Sequence, residues 1–484
     1  MKSFHPKAIL KLMGFLLMIE GLFMFGCIPY SIYYGSVDLK PILLSAIITL
    51  VSGFLLRLTF RKANNRELGT RDAYIIVSFT WILISAYGTF PFMFSNVIPD
   101  FTDAFFESIS GFSTTGASIL RDIEIVPKGV LFWRSLTHWI GGMGIVVLAI
   151  AILPYMGLGG MQLFNAEAPG PSVDKLHPRM AETAKRLWGI YVLLTVAQVI
   201  LMLLGGMGLF DSLCYAFGTV ATGGFGTKNT SYMKYSPYLQ YITTIFMFFA
   251  GTSFTLHYLA LKGKLRKVFK SEEYRTYVGL TLIATVIVAF LLWLIQDFSI
   301  EAAIRHALFQ VVSIITCTGF ASYDYMIWPA FCWFLIFVLM FAGGMVGSTS
   351  GGIKIFRHVL LFKNGRAEFR KMIHPNAVFP VRLDGRNVSP EIIHNVLAIF
   401  MIYITTFAIG TLILIGFGLA LPDSMGSVAT CMGGIGPGLG TTGPAGNFAH
   451  LHDVSKWTLS FLMLAGRLEL ITIYILFIPA FWRN

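Results

Sequence analysis

The stretch Ser313-Ile314-Ile315-Thr316-Cys317-Thr318-Gly319-Phe320 decides the fold, because three imperfect copies of it recur along the chain of 484 residues. The copies are Phe112-Ser113-Thr114-Thr115-Gly116, Thr219-Val220-Ala221-Thr222-Gly223 and Gly434-Ile435-Gly436-Pro437-Gly438-Leu439. Each copy lies between two long apolar runs, and a spacing of roughly a hundred residues indicates an internal repeat. We therefore expect the four glycine elements to meet on one axis and to line an ion pathway with backbone carbonyls.

The composition is that of a membrane protein. Hydrophobic residues make up 56% of the chain and charged residues only 12%, whereas about a quarter of the residues in a soluble domain are charged. Apolar runs of about 20 residues, long enough to cross a bilayer as a helix, recur throughout. The sequence thus predicts an all-α polytopic membrane protein.

The net charge of +12 does not indicate nucleic-acid binding, because the basic residues cluster between alternate apolar runs. The clusters lie at residues 61–71, 175–186, 262–275 and 354–386. This positive-inside bias predicts that these segments and both termini are cytoplasmic, where they can also meet anionic lipid or an acidic partner. The five cysteines form no C-x-x-C motif, so neither a metal site nor a disulfide is predicted.

Each repeat has the pattern of a re-entrant pore unit: helix, half-helix, glycine element, second helix. The predicted architecture is four helix–pore-helix–helix repeats around a pseudo-fourfold pore, plus an N-terminal two-helix hairpin, with ten spans in all. The predicted units are residues 1–68 for the accessory hairpin and 69–160, 176–264, 272–362 and 386–484 for the repeats. The half-helices are expected at 103–113, 211–221, 301–316 and 423–433, and the second helices near 130–153, 237–261, 327–362 and 455–482.

Half-helices that enter from outside would stabilise a cation at the centre of the bundle. Each ends near mid-membrane with unpaired carbonyls and the negative end of its dipole. After each half-helix the carbonyls must turn toward the axis, which glycine permits because it lacks a Cβ. Polar residues at the N-terminal starts of the four half-helices are expected to cap them. They are Asp103, Asp211, Asp423, and Ser299 with Glu301. Ordinary helices carry the same caps, so the caps alone do not indicate an ion pathway.

Thr-Gly occurs at matched positions in three repeats, and Pro437-Gly438 stands in the fourth. With this pattern the chain resembles, over essentially its whole length, the TrkH branch of the TrkH/KtrB/HKT superfamily of potassium transporters. The resemblance implies uptake of K⁺, with Na⁺ or Rb⁺ as further ions, through a filter whose glycines are Gly116, Gly223, Gly319 and Gly438. The residues expected to hold K⁺ are Thr114, Thr115, Gly116, Ala221, Thr222, Gly223, Cys317, Thr318, Gly319, Gly436, Pro437 and Gly438.

The resemblance also implies a cellular location, an oligomeric state and a partner. It places the chain in the bacterial inner membrane as a homodimer, with cation symport as one mode of transport. It further implies a cytosolic TrkA-like nucleotide-binding subunit, for which the basic loops 262–275 and 354–386 are the natural docking surface. The fourth element lacks Thr, and none of the four reads T-V-G-Y-G, so looser selectivity than that of a strict potassium channel is expected.

The second helices predict a gate. They share small residues at similar distances after the filter: Ile140-Gly141-Gly142, Ala250-Gly251-Thr252, Ala342-Gly343-Gly344 and Ala465-Gly466-Arg467. The third helix is interrupted by a run of glycines that cannot hold a helix, and the fourth carries a charge that must face water or a partner. We interpret these two features as an intracellular gate, in which the loop blocks the path while the arginine repels cations and donates to loop carbonyls. The gate residues are Gly343, Gly344, Gly347, Ser348, Thr349, Gly351, Gly352 and Arg467.

Other interpretations of these residues stay open at this point. Arg467 would alternatively pair with Glu469 or snorkel, and the glycine loop would be a packing kink. Glu107 and Gln310, each nine residues before a filter glycine, either brace the filter or make ordinary hydrogen bonds. Snorkelling or satisfied hydrogen bonds, rather than catalysis, are expected of Arg134, His138 and His306.

The alternative function is an alternating-access secondary transporter, in which the broken helix of the third repeat supplies a midplane substrate site. An enzyme is not expected, because the apolar spans contain no paired acids and no nucleophile–base set. The run from Gly347 to Lys354 is not a phosphate loop, since no Ser or Thr follows the lysine and no strand precedes the run. Any nucleotide control must therefore come from another chain.

Overall fold

The computed structural model describes residues 5–63, 69–156 and 180–482. The unit boundaries predicted at residues 1, 68, 160, 176 and 484, and part of the basic cluster at 175–186, lie outside these residues. Regular structure within the described ranges is almost entirely helical, and the strands found there are one two-residue antiparallel pair, β1 (Arg382–Leu383) and β2 (Arg386–Asn387). The all-α class is confirmed.

The helices follow the predicted order. The hairpin comprises α1 (Pro6–Phe25), α2 (Ile28–Tyr33) and α3 (Leu39–Thr59). The first repeat comprises α4 (Thr70–Tyr87), α5 (Phe90–Phe94), α6 (Phe101–Phe112) and α7 (Lys128–Met156). The second comprises α8 (Met180–Leu204), α9 (Leu209–Val220), α10 (Pro237–Ala250) and α11 (Phe254–Leu261), and α12 (Leu265–Lys270) follows it. The third comprises α13 (Glu272–Ile295), α14 (Ile300–Ile315), α15 (Ala330–Leu339) and α16 (Ile355–Ile373). The fourth comprises α17 (Pro390–Gly416), α18 (Leu421–Gly433), α19 (Asp453–Arg467), α20 (Leu470–Tyr474) and α21 (Pro479–Trp482).

Several of these helices are membrane spans by length and composition. Among the described residues, six helices are long and apolar enough to cross a bilayer, and eight spans result if each sharply bent helix pair counts as one. The chain is therefore a multi-pass membrane protein. Ten spans, and the orientation of the termini, stay predictions.

The second helices differ from the prediction in two repeats. Helix α7 is continuous, and α15 ends before the glycine loop as expected, but α10 meets α11 at 102° and α19 meets α20 at 114°. The breaks follow Gly251 and Gly466, which the sequence aligned with the loop of the third repeat. Glycine and hydroxyl residues such as Thr252 and Ser253 hold a helix poorly. The single helices predicted over 237–261 and 455–482 are therefore wrong.

The half-helices are found at the predicted places, but their caps differ. The Asp100 carboxylate caps α6 by accepting a hydrogen bond from the Asp103 amide at 3.0 Å, and Ser299 caps α14 as predicted. Asp211 and Asp423 stand in the first turn instead and accept bonds from the segments that return from the filter. Asp211 accepts from the Thr227 hydroxyl at 2.7 Å, and Asp423 accepts from the Thr441 amide at 2.6 Å. Asp103 pairs with Lys456 at 2.5 Å, so the capping predicted for Asp103, Asp211 and Asp423 is wrong.

Candidate ion pathway

The four half-helices end in the same backbone turn. In each, an amide donates to the carbonyl five residues earlier, over 2.7–3.0 Å, and the residue just before that amide is left-handed. This is the Schellman C-cap, in which the left-handed position is usually glycine. The donors are Thr115, Gly223, Thr318 and Ile435, and the left-handed residues are Thr114 (φ 57°), Thr222 (φ 55°), Cys317 (φ 57°) and Gly434 (φ 67°).

Three of these left-handed residues carry side chains. A side chain in this conformation costs about 1 kcal/mol or more, because Cβ approaches the following carbonyl. Such residues persist where the surrounding structure over-determines them, and they concentrate at functional sites. The shared turn therefore marks Thr114, Thr222 and Cys317 as positions held for a purpose other than local stability.

The turn also sets which glycines are equivalent. Two residues after each left-handed position stands a glycine with positive φ: Gly116 (81°), Gly224 (85°), Gly319 (81°) and Gly436 (108°). The sequence alignment was therefore right at Gly116 and Gly319 but wrong at Gly223 and Gly438, which lie one residue before and two residues after the matched glycine. The alignment followed the Thr-Gly and Pro-Gly pairs, whereas the register is fixed by where each half-helix ends.

These four glycines close a ring. A Cβ built on Gly116, Gly224 or Gly319 would collide with a backbone carbonyl oxygen of the next repeat, and one on Gly436 would make a tight contact with such an oxygen. The contacts run from the first repeat to the second, third and fourth and back to the first, which is the pseudo-fourfold arrangement predicted. Given as the distance from the added Cβ to the oxygen, they are Gly116 to Gly223 (2.0 Å), Gly224 to Thr318 (2.1 Å), Gly319 to Ile435 (1.7 Å) and Gly436 to Thr115 (3.0 Å).

A cavity of about 130 Å³ opens onto the ring and is lined by all four positive-φ glycines. Pro437 also lines it, but Gly223 and Gly438 do not. The threonine hydroxyls beside the ring are buried and bonded: Thr115 to Ser113 at 2.8 Å and Thr318 to Thr316 at 2.7 Å. Backbone and bonded hydroxyl groups thus lie next to the ring, and the basic residues Arg121, Arg134 and Lys228 also line the cavity.

The glycine loop of the third repeat lies directly against the half-helix ends. The Thr349 hydroxyl is within hydrogen-bond distance of the Val220 carbonyl at the end of α9 (3.0 Å) and of the Ala250 carbonyl at the end of α10 (3.3 Å). A Cβ on Gly351 would lie 2.2 Å from the carbonyl oxygen of Gly433, the last residue of α18. The loop therefore contacts the ends of the half-helices of the second and fourth repeats.

Arg467 joins this loop to the first repeat. Its guanidinium donates to the Thr349 carbonyl at 2.9 Å and to the Gly141 carbonyl at 2.8 Å. The predicted position of Arg467 beside the loop is thus observed, and the predicted donation to a loop carbonyl is present. Glu469, the alternative partner, accepts two bonds from Arg357 at 2.8 and 2.9 Å.

A buried ion pair near the ring was not predicted. Arg134 does not snorkel: it is 1% exposed and its Nε donates to the Glu107 carboxylate at 2.6 Å. His306, as expected, is bonded, to Ser322 at 2.9 Å. The side-chain amide of Gln310 is buried and has no hydrogen-bond partner among the described residues, so its predicted bracing role is not seen. The pair could have been predicted, because Glu107 and Arg134 carry opposite charges within apolar segments of the same repeat.

Comparison with known proteins identifies the family. A family model described as "TrkH: Cation transport protein" matches residues 39–484. The chain belongs to the TrkH family. The family is one of transport proteins, so the expectation that the chain is not an enzyme is confirmed.

Relatives and a solved structure agree with this membership. The Trk system potassium uptake protein TrkH of Escherichia coli is 39% identical over 99% of this chain and 100% of its own length. TrkH of Salmonella typhimurium is 42% identical over 86% of this chain and 87% of its own length. The crystal structure of the potassium transporter TrkH from Vibrio parahaemolyticus matches 99% of this chain and 100% of that chain, with a TM-score of 0.89 and 33% identity. The resemblance and the fold class drawn from the sequence are confirmed.

Proposed function

We propose that this chain is a potassium uptake channel or transporter subunit that passes K⁺, with Na⁺ and Rb⁺ as further ions, through the ring of glycine turns. The observation that carries the proposal is the closed cycle of glycine-to-carbonyl contacts among four repeats. The relatives named as potassium uptake proteins support K⁺ as the ion, and K⁺ is the only ion the proposal requires.

The filter chemistry follows from the turn. Successive backbone oxygens at the end of a half-helix replace the water shell of an ion, and the negative ends of four helix dipoles favour a cation over an anion. The proposed filter keeps the predicted residues of the first and third repeats and shifts by the register found above in the others. It comprises Thr114, Thr115, Gly116, Thr222, Gly223, Gly224, Cys317, Thr318, Gly319, Gly434, Ile435 and Gly436.

The gate is the loop 343–352 with Arg467. The loop contacts half-helix ends of the second and fourth repeats, and Arg467 ties it to the first. A cation that leaves the filter inward would meet the loop backbone and a guanidinium charge together. Opening therefore requires the loop to leave the half-helix ends and Arg467 to give up the Thr349 carbonyl.

Regulation and assembly are proposed by analogy with the relatives, which are named as proteins of a Trk system, a term that implies further components. We place the chain in a bacterial inner membrane with both termini inside, as a homodimer. A TrkA-like nucleotide-binding subunit would dock on the basic segments 262–275 and 354–386, which contain helices α12 and α16. The units 1–68, 69–160, 176–264, 272–362 and 386–484 are proposed as hairpin and pore repeats. Capture of the nucleotide-binding subunit by vesicles that carry this chain, with and without Lys363→Glu and Arg366→Glu, tests the docking surface. Unchanged capture by the variant would contradict the proposed surface.

Ion flux tests the function. Purified protein in proteoliposomes should take up K⁺ faster than Na⁺, and Gly319→Ser should lose the preference, because its Cβ would overlap the Ile435 oxygen. Gly279→Ser is the matched control, since a Cβ there meets no atom within 4 Å. Equal K⁺ and Na⁺ uptake by the wild type contradicts the proposal. Single-channel currents would favour a channel, while a fixed ion stoichiometry would favour the alternating-access alternative, which the bent second helices also fit.

A further inference from the structure

The buried pair formed by Glu107 and Arg134 lies at the corner between the first and second repeats. Glu107 belongs to half-helix α6 and Arg134 to α7, and their side chains are 0% and 1% exposed. Breaking such a pair would leave an uncompensated charge in an apolar interior, so both partners hold each other in place. The pair has no part in the gate and none in the ring contacts described above.

Each partner also holds a different return segment. The Glu107 carboxylate accepts from the Ser118 hydroxyl and from the Ile119 amide, both at 2.9 Å, and these residues closely follow Gly116. Arg134 donates through Nη1 to the Gly226 carbonyl at 3.0 Å, two residues after Gly224. Its guanidinium also lies over the Phe225 ring, 3.5 Å from the centroid. One ion pair thus binds the segments that follow the filter glycines of two neighbouring repeats.

The third and fourth repeats hold their return segments with hydroxyl groups and, in the fourth, also with the Asp423 carboxylate, which accepts from the Thr441 amide at 2.6 Å. The Ser313 hydroxyl donates to the Phe320 carbonyl at 2.7 Å in the third repeat, and Ser427 bonds Thr442 at 3.0 Å in the fourth. Charge-assisted hydrogen bonds are shorter and about twice as strong as neutral ones. At the first-to-second corner, such bonds from one buried ion pair connect the return segments of two different repeats.

We propose that Glu107 and Arg134 are positioning residues that set the separation between the first and second filter elements and thereby the discrimination of K⁺ from Na⁺. The inference rests on the proposed function. Arginine is required because one guanidinium donates to Glu107 and to Gly226 while its carbon lies 3.5 Å from the centroid of the Phe225 ring, which a lysine ammonium cannot do. A smaller ion is discriminated only if the oxygens of neighbouring repeats are kept from closing around it.

The test is Arg134→Lys in proteoliposomes, with K⁺ and Na⁺ uptake and thermal unfolding measured on the same preparation. We expect the K⁺/Na⁺ flux ratio to fall roughly tenfold, the equivalent of about one charge-assisted hydrogen bond, while total cation flux persists. A merely structural role would lower both fluxes in proportion. The matched control is Arg305→Lys, because Arg305 pairs with the exposed Glu301 at 2.8 Å on α14, and its ratio should stay at the wild-type value.

The outcomes separate the two proposals. A selective wild type with an unchanged ratio in folded Arg134→Lys overturns the inference and leaves the filter proposal standing, whereas a wild type without K⁺ preference overturns both. If Arg134→Lys fails to insert, Ser118→Ala decides: it removes one bond to Glu107 and should lower the ratio roughly threefold. An unchanged ratio in that variant also overturns the inference.

Discussion

The guanidinium of Arg467 donates to the backbone carbonyl of Thr349 over 2.9 Å, which joins the fourth repeat to a loop of the third. A second bond from the same group reaches Gly141 in the first repeat, and the Thr349 hydroxyl reaches Val220 in the second. All four repeats therefore meet at these two residues. Neutral backbone carbonyls accept the hydrogen bonds of the charged guanidinium. Because these bonds and that of the Thr349 hydroxyl form one network, movement of Arg467 or Thr349 must break contacts with several repeats together.

Loss of the Arg467 side chain should open the pathway. Arg467→Ala removes a charge-assisted hydrogen bond to the loop and the positive charge beside it. A loss of about 1.5 kcal/mol from the closed state should raise basal K⁺ flux roughly tenfold, measured as Rb⁺ tracer uptake without any cytosolic partner. Arg366→Ala, at an exposed position of α16, should leave the flux unchanged. Wild-type flux in Arg467→Ala would remove the arginine from the gate.

The repeat architecture was predictable because its signals are local. Four glycine elements between apolar runs fixed the number of repeats, and the intramembrane position of Arg467 fixed its neighbourhood once the second helices were aligned. The register of Gly224 and Gly436 was not predictable from dipeptides, since it depends on where each half-helix breaks its last hydrogen bond. The bends after Gly251 and Gly466 likewise depend on tertiary packing. A glycine within a helix costs only about 1 kcal/mol of helix stability, so its presence in the sequence does not by itself predict a bend.

The caps show the same limit. Asp211 and Asp423 are good N-cap residues by type, but each lies one turn too late and bonds the return segment instead. The pairing of Glu107 with Arg134 joins residues 27 apart in the chain, and only the fold brings them to 2.6 Å. Sequence therefore located the four glycine turns, whereas the bonds that hold their shape required the structure.

The Thr349 hydroxyl should contribute to closure independently of the arginine. Thr349→Val keeps the shape of the side chain but removes the donor that reaches the Val220 and Ala250 carbonyls. A neutral hydrogen bond is worth about 1 kcal/mol, so basal Rb⁺ uptake should rise roughly fivefold. Thr276→Val is the control, because the Thr276 hydroxyl bonds only the Glu272 carbonyl of its own helix at an exposed site. If both variants behave as wild type, the loop contact is not part of the closed state.

The corrected register predicts different outcomes at two glycines of the fourth element. Gly436 has φ 108° and lies against the Thr115 oxygen, so Gly436→Ser should lower the K⁺/Na⁺ uptake ratio by roughly tenfold. Gly438 packs instead against Thr442 and Gly426, with no positive φ, so Gly438→Ala should lower the unfolding temperature while the ratio stays unchanged. The reverse result, with the ratio sensitive at Gly438 only, would restore the alignment drawn from sequence.

The Cys317 thiol should report the position of the loop. Cys317 is buried, and a Cβ built on Gly352 of the loop would lie 3.5 Å from its sulfur, so the loop covers this thiol in the structure. In a variant that keeps Cys317 but replaces Cys27, Cys214, Cys332 and Cys431 by Ala, a small cationic thiosulfonate should react slowly. Adding Arg467→Ala should accelerate the reaction roughly tenfold, in step with the rise in flux, because both follow the fraction of molecules with the loop displaced. Mass spectrometry of the intact protein measures the rate, and the same protein with Cys317→Ala fixes the background. Equal rates with and without Arg467→Ala, alongside raised flux, would show that ions pass without the loop leaving Cys317.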